Sequence, residues 1–151
     1  MLLQGKLALN SSIQKVWDFL LDPQTLLSCI PGAERIERID EKTYDCVVKQ
    51  KVGPISVRFK FKAILTEVNP PTHIKFMGEG EDIGKAGHFA HKTAVNLAET
   101  PEGQVDISYT SDISIVGRLA TFGDKVMRAK AKKMEEELTK RLQERLQDLT
   151  S

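Results

Sequence analysis

The side chains best placed for chemistry are His73, His88, His91, Tyr109, Cys29 and Cys46. The histidines sit at no spacing from one another, or from a carboxylate, that suits a metal site. His73 and His88 fall at outward or strand-end positions, and Asp45, Glu79 and Glu81 read as solvated. Cys46 takes an inward strand position and Cys29 lies beside Ile30. Neither thiol has a base near it, so both read as buried structural cysteines. A Tyr109–His91 acid–base pair has no matched nucleophile or metal, so no catalytic residue is assigned. Gln50, His91, Thr93, Tyr109 and Ser111 nevertheless fall on faces that the pattern assigns to the interior. Buried polar groups need partners. A ligand head group, ordered water or one another are the candidates.

The elements that position these groups follow from periodicity. A strand over residues 2–9 puts Leu3, Leu7 and Leu9 on one face. Ser11 with Gln14 fits a capping box, and Ile13, Val16, Trp17 and Leu20 follow at helical spacing. Pro23 opens a second short helix that runs to about Cys29. From residue 33 to 116 the pattern is β. Tyr44, Cys46, Val48, Gln50 and Val52 alternate inward, as do Ile55, Val57, Phe59, Phe61, Ala63 and Leu65 after Gly53-Pro54. Turning at those two residues pairs Val52 with Ile55, Val48 with Phe59 and Cys46 with Phe61, always inward with inward. Strands 72–82, 88–99 and one from Val105 follow on short connections, which favour antiparallel neighbours. A loop at 99–103 would face Phe89 to Ile113, His91 to Ser111, Thr93 to Tyr109 and Val95 to Ile107. From Arg118 to Leu149 apolar residues recur at steps of three or four, giving a helix roughly 45 Å long.

The 151 residues fit one domain spanning 1–151. The net charge of +1 makes no case for nucleic-acid binding. No secretory leader opens the chain and no stretch reaches the roughly 18 apolar residues of a membrane helix. The expectation is a cytoplasmic protein with reduced thiols. A sheet with one apolar face needs a cover. The fold class is therefore α+β: a curved antiparallel sheet of about seven strands, two short helices after the first strand, and a long C-terminal helix over an internal cavity.

That layout resembles the START/Bet v 1-like (SRPBCC) helix-grip superfamily. Within it, the chain resembles the CoxG family, the G-type component of carbon monoxide dehydrogenase. The residues that carry this are Val16-Trp17, Asp22-Pro23, Cys29-Ile30-Pro31-Gly32-Ala33-Glu34, Val52-Gly53-Pro54-Ile55 and Gly84-Lys85-Ala86-Gly87. The resemblance implies association with molybdenum hydroxylases of the carbon monoxide dehydrogenase type, in membrane recruitment or maturation. Some members reach the membrane through a C-terminal extension; this sequence ends at Ser151, just after the helix. The superfamily implies lipids, isoprenoids, polyketides or other hydrophobic ligands.

The candidate ligand-binding residues are Trp17, Leu26, Ile30, Phe59, Phe61, Phe76, Phe89, His91, Thr93, Val95, Tyr109, Ser111, Ile113, Phe122 and Val126. Phe122 and Val126 are expected to face inward over Phe59 and Phe61. Gly78, Gly80 and Ala63 are expected to leave volume unfilled. No cofactor is required; the bound group would be a lipophilic molecule, with a quinone as the guess from the partner class. Lys49, Lys51, Arg58, Lys60 and Lys62 form an outward basic stripe. It could meet an anionic lipid surface or an acidic partner, but an ordinary solvated face neutralised by Glu79 or Asp106 is favoured. Three functions stay open: a ligand-binding accessory protein, an adaptor with an incidental cavity, and a cyclase-like enzyme.

Overall fold

The computed structural model describes residues 1–150, apart from the side chains of 149 and 150. Leu149, expected on the apolar face of the last helix, thus has its side chain outside the described residues. Strand β1 (Leu2–Leu9) is followed by helices α1 (Ile13–Leu21) and α2 (Pro23–Cys29). The cap of α1 is Ser12, whose Oγ accepts from the Lys15 N–H at 3.4 Å. The predicted capping box started one residue early: Ser11 Oγ is buried without a partner, and Gln14 instead donates to Asp18. Asp22 caps α2, accepting from the Thr25 N–H at 3.1 Å and the Thr25 hydroxyl at 2.7 Å, with Pro23 in the first turn where no N–H is missed.

Six strands follow: β2 (Ala33–Arg38), β3 (Thr43–Val52), β4 (Ile55–Asn69), β5 (His73–Asp82), β6 (Gly87–Glu99) and β7 (Val105–Gly117). With β1 they form one seven-stranded antiparallel sheet in the order β1-β7-β6-β5-β4-β3-β2. The β3–β4 register is the one expected, with Val52 opposite Ile55, Val48 opposite Phe59 and Cys46 opposite Phe61. The β6–β7 register differs. Phe89 lies opposite Ile115, His91 opposite Ile113, Thr93 opposite Ser111 and Val95 opposite Tyr109. The loop sits one residue later, so every partner slips by two. A slip of two keeps each side chain on its face, and the hydrophobic pattern cannot detect it.

The long helix also starts later than expected. Arg118–Phe122 form a short 3-10 turn, and α3 (Gly123–Thr150) begins after it. Gly117 and Gly123 bracket the turn at φ 96° and 77°. Those angles suit glycine, and they let the chain change direction twice within seven residues.

The core is divided. At one end of the sheet Leu9, Val16, Trp17, Cys29, Ile74, Leu97, Val105 and Ile107 pack with Leu142 and Leu146 of α3. At the other end Val52, Val57, Ala86 and Leu119 form a second cluster, joined by half-buried Phe122 and Met127. A third, Ile36, Tyr44 and Cys46, lies beneath Leu26 and Ile30. The helix α3 approaches the sheet chiefly at β1 and β3, strands near its two borders. The middle strands therefore stand away from the helix, between the two end clusters.

Candidate ligand-binding site

The rings that the middle strands turn inward occupy this interval. Phe59, Phe61, Phe76, Phe89 and His91 are each only half-buried, whereas the clusters on both sides are sealed. Phe89 meets Phe59 and Phe61 edge to face, with centroids 4.7 and 5.2 Å apart. The His91 ring stacks near Phe89 at 6.2 Å and meets Phe76 edge-on at 5.4 Å.

Cross-strand rows explain how these large rings fit. Phe61, Gly80, Phe89 and Ile115 form one row, and Ala63, Gly78, His91 and Ile113 the next. A Cβ on Gly80 would collide with Phe61, and one on Gly78 would come within 2.6 Å of His91 Nε2. The expectation that these glycines leave empty volume is corrected: their space is taken by the neighbouring rings.

The polar residues divide into two groups. His91 Nδ1 lies 2.9 Å from Thr93 Oγ1, which lies 2.7 Å from Ser111 Oγ. This chain runs across the floor of the hollow. Nε2 of His91 has no hydrogen-bond partner among the described residues, yet it is not a sealed atom. Burial, with no charged neighbour to offset it, pushes the imidazole pKa down and favours the neutral ring. One imidazole nitrogen is thus presented, uncharged, among aromatic rings.

The remaining polar candidates are already engaged. Gln50 Nε2 donates to the Pro31 carbonyl at 2.7 Å. Tyr109 donates to Glu135 of α3 at 2.5 Å, and Lys132 closes on the other Glu135 oxygen at 3.0 Å. Burial first, then the Glu135 carboxylate, push the Tyr109 pKa up. The pair passes over Gly5, where any Cβ would strike both side chains. Tyr109 therefore straps α3 to the sheet, and its hydroxyl proton is not free for a head group.

Other candidates are relocated. Trp17, 5% exposed, is part of the sealed core, and Val95 packs against that core. Leu26 and Ile30 cover the third cluster. Ile113 is half-buried beside His91. Phe122 packs into the second cluster over Gly53. Val126 does not face inward: it is 40% exposed, because α3 starts only at Gly123 and presents that position to the outside.

Two residues that matter here gave no functional signal in the sequence. Glu135 meets Tyr109 across 26 positions, which no local pattern reveals. Asp82 is 4% exposed and accepts from the N–H groups of Arg58 and Ala86, tying the β5–β6 loop to β4. An aspartate at the end of an inward run, two residues before a glycine, is the signal that could have found it. The basic stripe is balanced as expected. Arg58 pairs with Glu34, while Lys60 and Lys62 lie opposite Glu81 and Glu79.

Elsewhere, surface depressions of about 330 and 660 Å³ lie beside Gln4, Lys6 and Ser108 and beside Arg38, Glu41 and Val68. Neither is lined by an inner aromatic ring. Among the described residues there is no group of three metal-ligating side chains, and no helix is long and apolar enough to cross a membrane.

Comparison with known proteins agrees with this architecture. A conserved protein from Geobacillus kaustophilus superposes with a TM-score of 0.90 at 22% identity, over 98% of this chain and 96% of that one. A START superfamily protein from Mycobacterium smegmatis gives 0.72 at 10% identity, over 98% of each chain. The Zhui aromatase/cyclase from Streptomyces sp. R1128 also gives 0.72 at 10% identity, over 100% of this chain and 96% of that one. At these identities the likeness shows the fold alone. No curated protein matches by sequence. Residues 5–147 match the CoxG family, described as the G-type component of carbon monoxide dehydrogenase, and the chain belongs to that family.

Proposed function

We propose that the protein holds a small, uncharged lipophilic molecule between the middle strands and α3, and serves a molybdenum hydroxylase of the carbon monoxide dehydrogenase type as an accessory factor. The observation that carries the ligand reading is the half-burial of Phe59, Phe61, Phe76 and Phe89 between sealed clusters. Each of these rings turns toward the helix, and covering them is favourable at about 25 cal/mol per Å² of apolar surface. The ligand is uncharged because the inward positions of β3–β7 bear no charge except Asp82, which is bonded to backbone N–H groups. His91 Nε2 gives it one polar contact. The partner reading rests on the family. Electrons leaving such a hydroxylase need a membrane acceptor, which makes a quinone the first ligand to try.

Native mass spectrometry of protein purified from its natural source tests the ligand reading. The expected result is a non-covalent apolar mass, diminished in Ile113→Trp, which adds a ring beside His91. Protein that carries no such mass and takes up no quinone, yet captures a component of the dehydrogenase, would favour the adaptor reading instead.

A further inference from the structure

The end of the sheet formed by the β3–β4 turn, the β5–β6 loop, the 3-10 turn and the start of α3 has an unusual surface. Ile83, Val116 and Val126 are 57%, 55% and 40% exposed there, one from each of three separate segments. Segments 53–54, 83–86 and 117–125 carry Lys85, Arg118 and Lys125 against Asp124 alone. None of those three cations makes an ion pair among the described residues. The turns at the opposite end, 39–42, 70–72 and 100–104, reverse the balance, with Asp40, Glu41 and Glu102 against Lys42.

We infer that this basic end docks on an anionic bilayer surface, with Ile83, Val116 and Val126 entering the headgroup region and Lys85, Arg118 and Lys125 at the level of the phosphates. Aliphatic side chains set singly on separate turns, with cations between them, suit an interface that is fluid and negatively charged. A protein partner is a poorer fit. The centre of a protein interface is usually an aromatic or arginine anchor in a shaped pocket, and the aromatic residue at this end, Phe122, is folded back over Gly53. The helix α3 starts here and its later turns pack beside Leu9 and Val16, so the docking face lies at the opposite end from the sealed core. It is also where the cover of the hollow is thinnest, a 3-10 turn of five residues held between two glycines. The inference stands without the ligand reading, since a vesicle can be bound with the hollow empty.

Flotation of the full chain with phosphatidylcholine vesicles, with and without phosphatidylglycerol, tests it. The wild type should float only with the anionic vesicles, and less at high salt. Reversing Lys85, Arg118 and Lys125 to Glu should weaken binding by at least roughly fivefold per cation lost. The double variant Ile83→Asp/Val126→Asp, with the charges kept, should also release the protein. A control at the other end, Ile39→Asp/Lys42→Glu, should bind like the wild type. Melting curves confirm that each variant folds, as exposed positions allow. Failure of the wild type to bind anionic vesicles overturns the proposal. So does an equal loss in the control, or loss of a protein partner in the basic-end variants when vesicles are never bound.

Discussion

The two ends of the sheet are built to different standards. At the end where α3 finishes, Leu9, Val16, Val105, Leu142 and Leu146 are at most 1% exposed, and two helices and a strand share one core. At the end where α3 begins, the seal is Leu119 and Phe122 on a short turn, fixed by one buried carboxylate. The first end resists opening because each of its elements is packed by several others. The second depends on few contacts, and local opening is expected to favour such regions. A protein that must admit a lipophilic molecule needs one end of each kind.

The largest expected contrast is in core truncation. Leu146→Ala should cost about 2–5 kcal/mol by removing packing and leaving a cavity. Val126→Ala, on the exposed side of the same helix, should stay within about 0.5 kcal/mol. Chemical denaturation measures both, and a Val126→Ala loss as large as that of Leu146→Ala would erase the distinction between the two ends. Next comes Asp82→Asn. The amide cannot accept from both the Arg58 and Ala86 N–H groups, now 2.7 and 2.9 Å from the carboxylate, so about 1–3 kcal/mol should be lost. Burial pushes the Asp82 pKa up, but the backbone N–H groups of Arg58, Ala86 and Gly84 outweigh it and hold it below the usual value. The unfolded chain thus takes up the proton first. The contribution is complete above about pH 3.9 and is lost as pH falls through the lower folded value. Wild type should therefore lose more stability on acidification than Asp82→Asn. Equal acid sensitivity would mean that this carboxylate does not hold the loop.

What the sequence disclosed follows the same division. The β3–β4 hairpin was legible because a two-residue turn and two alternating strands fix one register between them. The β6–β7 register was not, since a five-residue loop allows a slip of two that leaves every face unchanged. The inner aromatic rings were legible as inward residues from alternation alone. That they would be half-covered depends on where α3 touches the sheet, which no strand pattern encodes. Val126 was misplaced because helical periodicity was extended through Gly123, where the backbone turns. Tyr109 was rightly placed inside but wrongly left free, because its partner is on a distant element. Tyr109→Phe sharpens that point. It leaves Glu135, whose side chain is 9% exposed, with Lys132 as its remaining ion-pair partner. The ligand-free protein should lose about 1–2 kcal/mol, while affinity for an apolar ligand changes little. The reverse outcome would return Tyr109 to the binding site.

The smallest effect belongs to His91, and it probes the hollow directly. The elements around the ring contribute Phe76, Gly78, Phe89, Thr93 and Ile113, none of them charged, so nothing compensates a proton on the imidazole. Its folded pKa lies below the unfolded value of about 6.5 because of burial. The unfolded state therefore binds the proton more readily. Stability from neutral His91 is fully present above about pH 6.5 and declines as pH falls through the folded value. His91→Phe keeps a ring in the row and removes the titration, so its stability should be flatter than wild type on the acid side of about pH 6.5. A bound uncharged ligand accepting or donating at Nε2 would exclude water further and lower the pKa again, so adding a quinone should move the NMR titration of His91 to still lower pH. If that titration instead moves up, the ligand brings a negative charge to Nε2, and the hollow is not the neutral site that its lining describes.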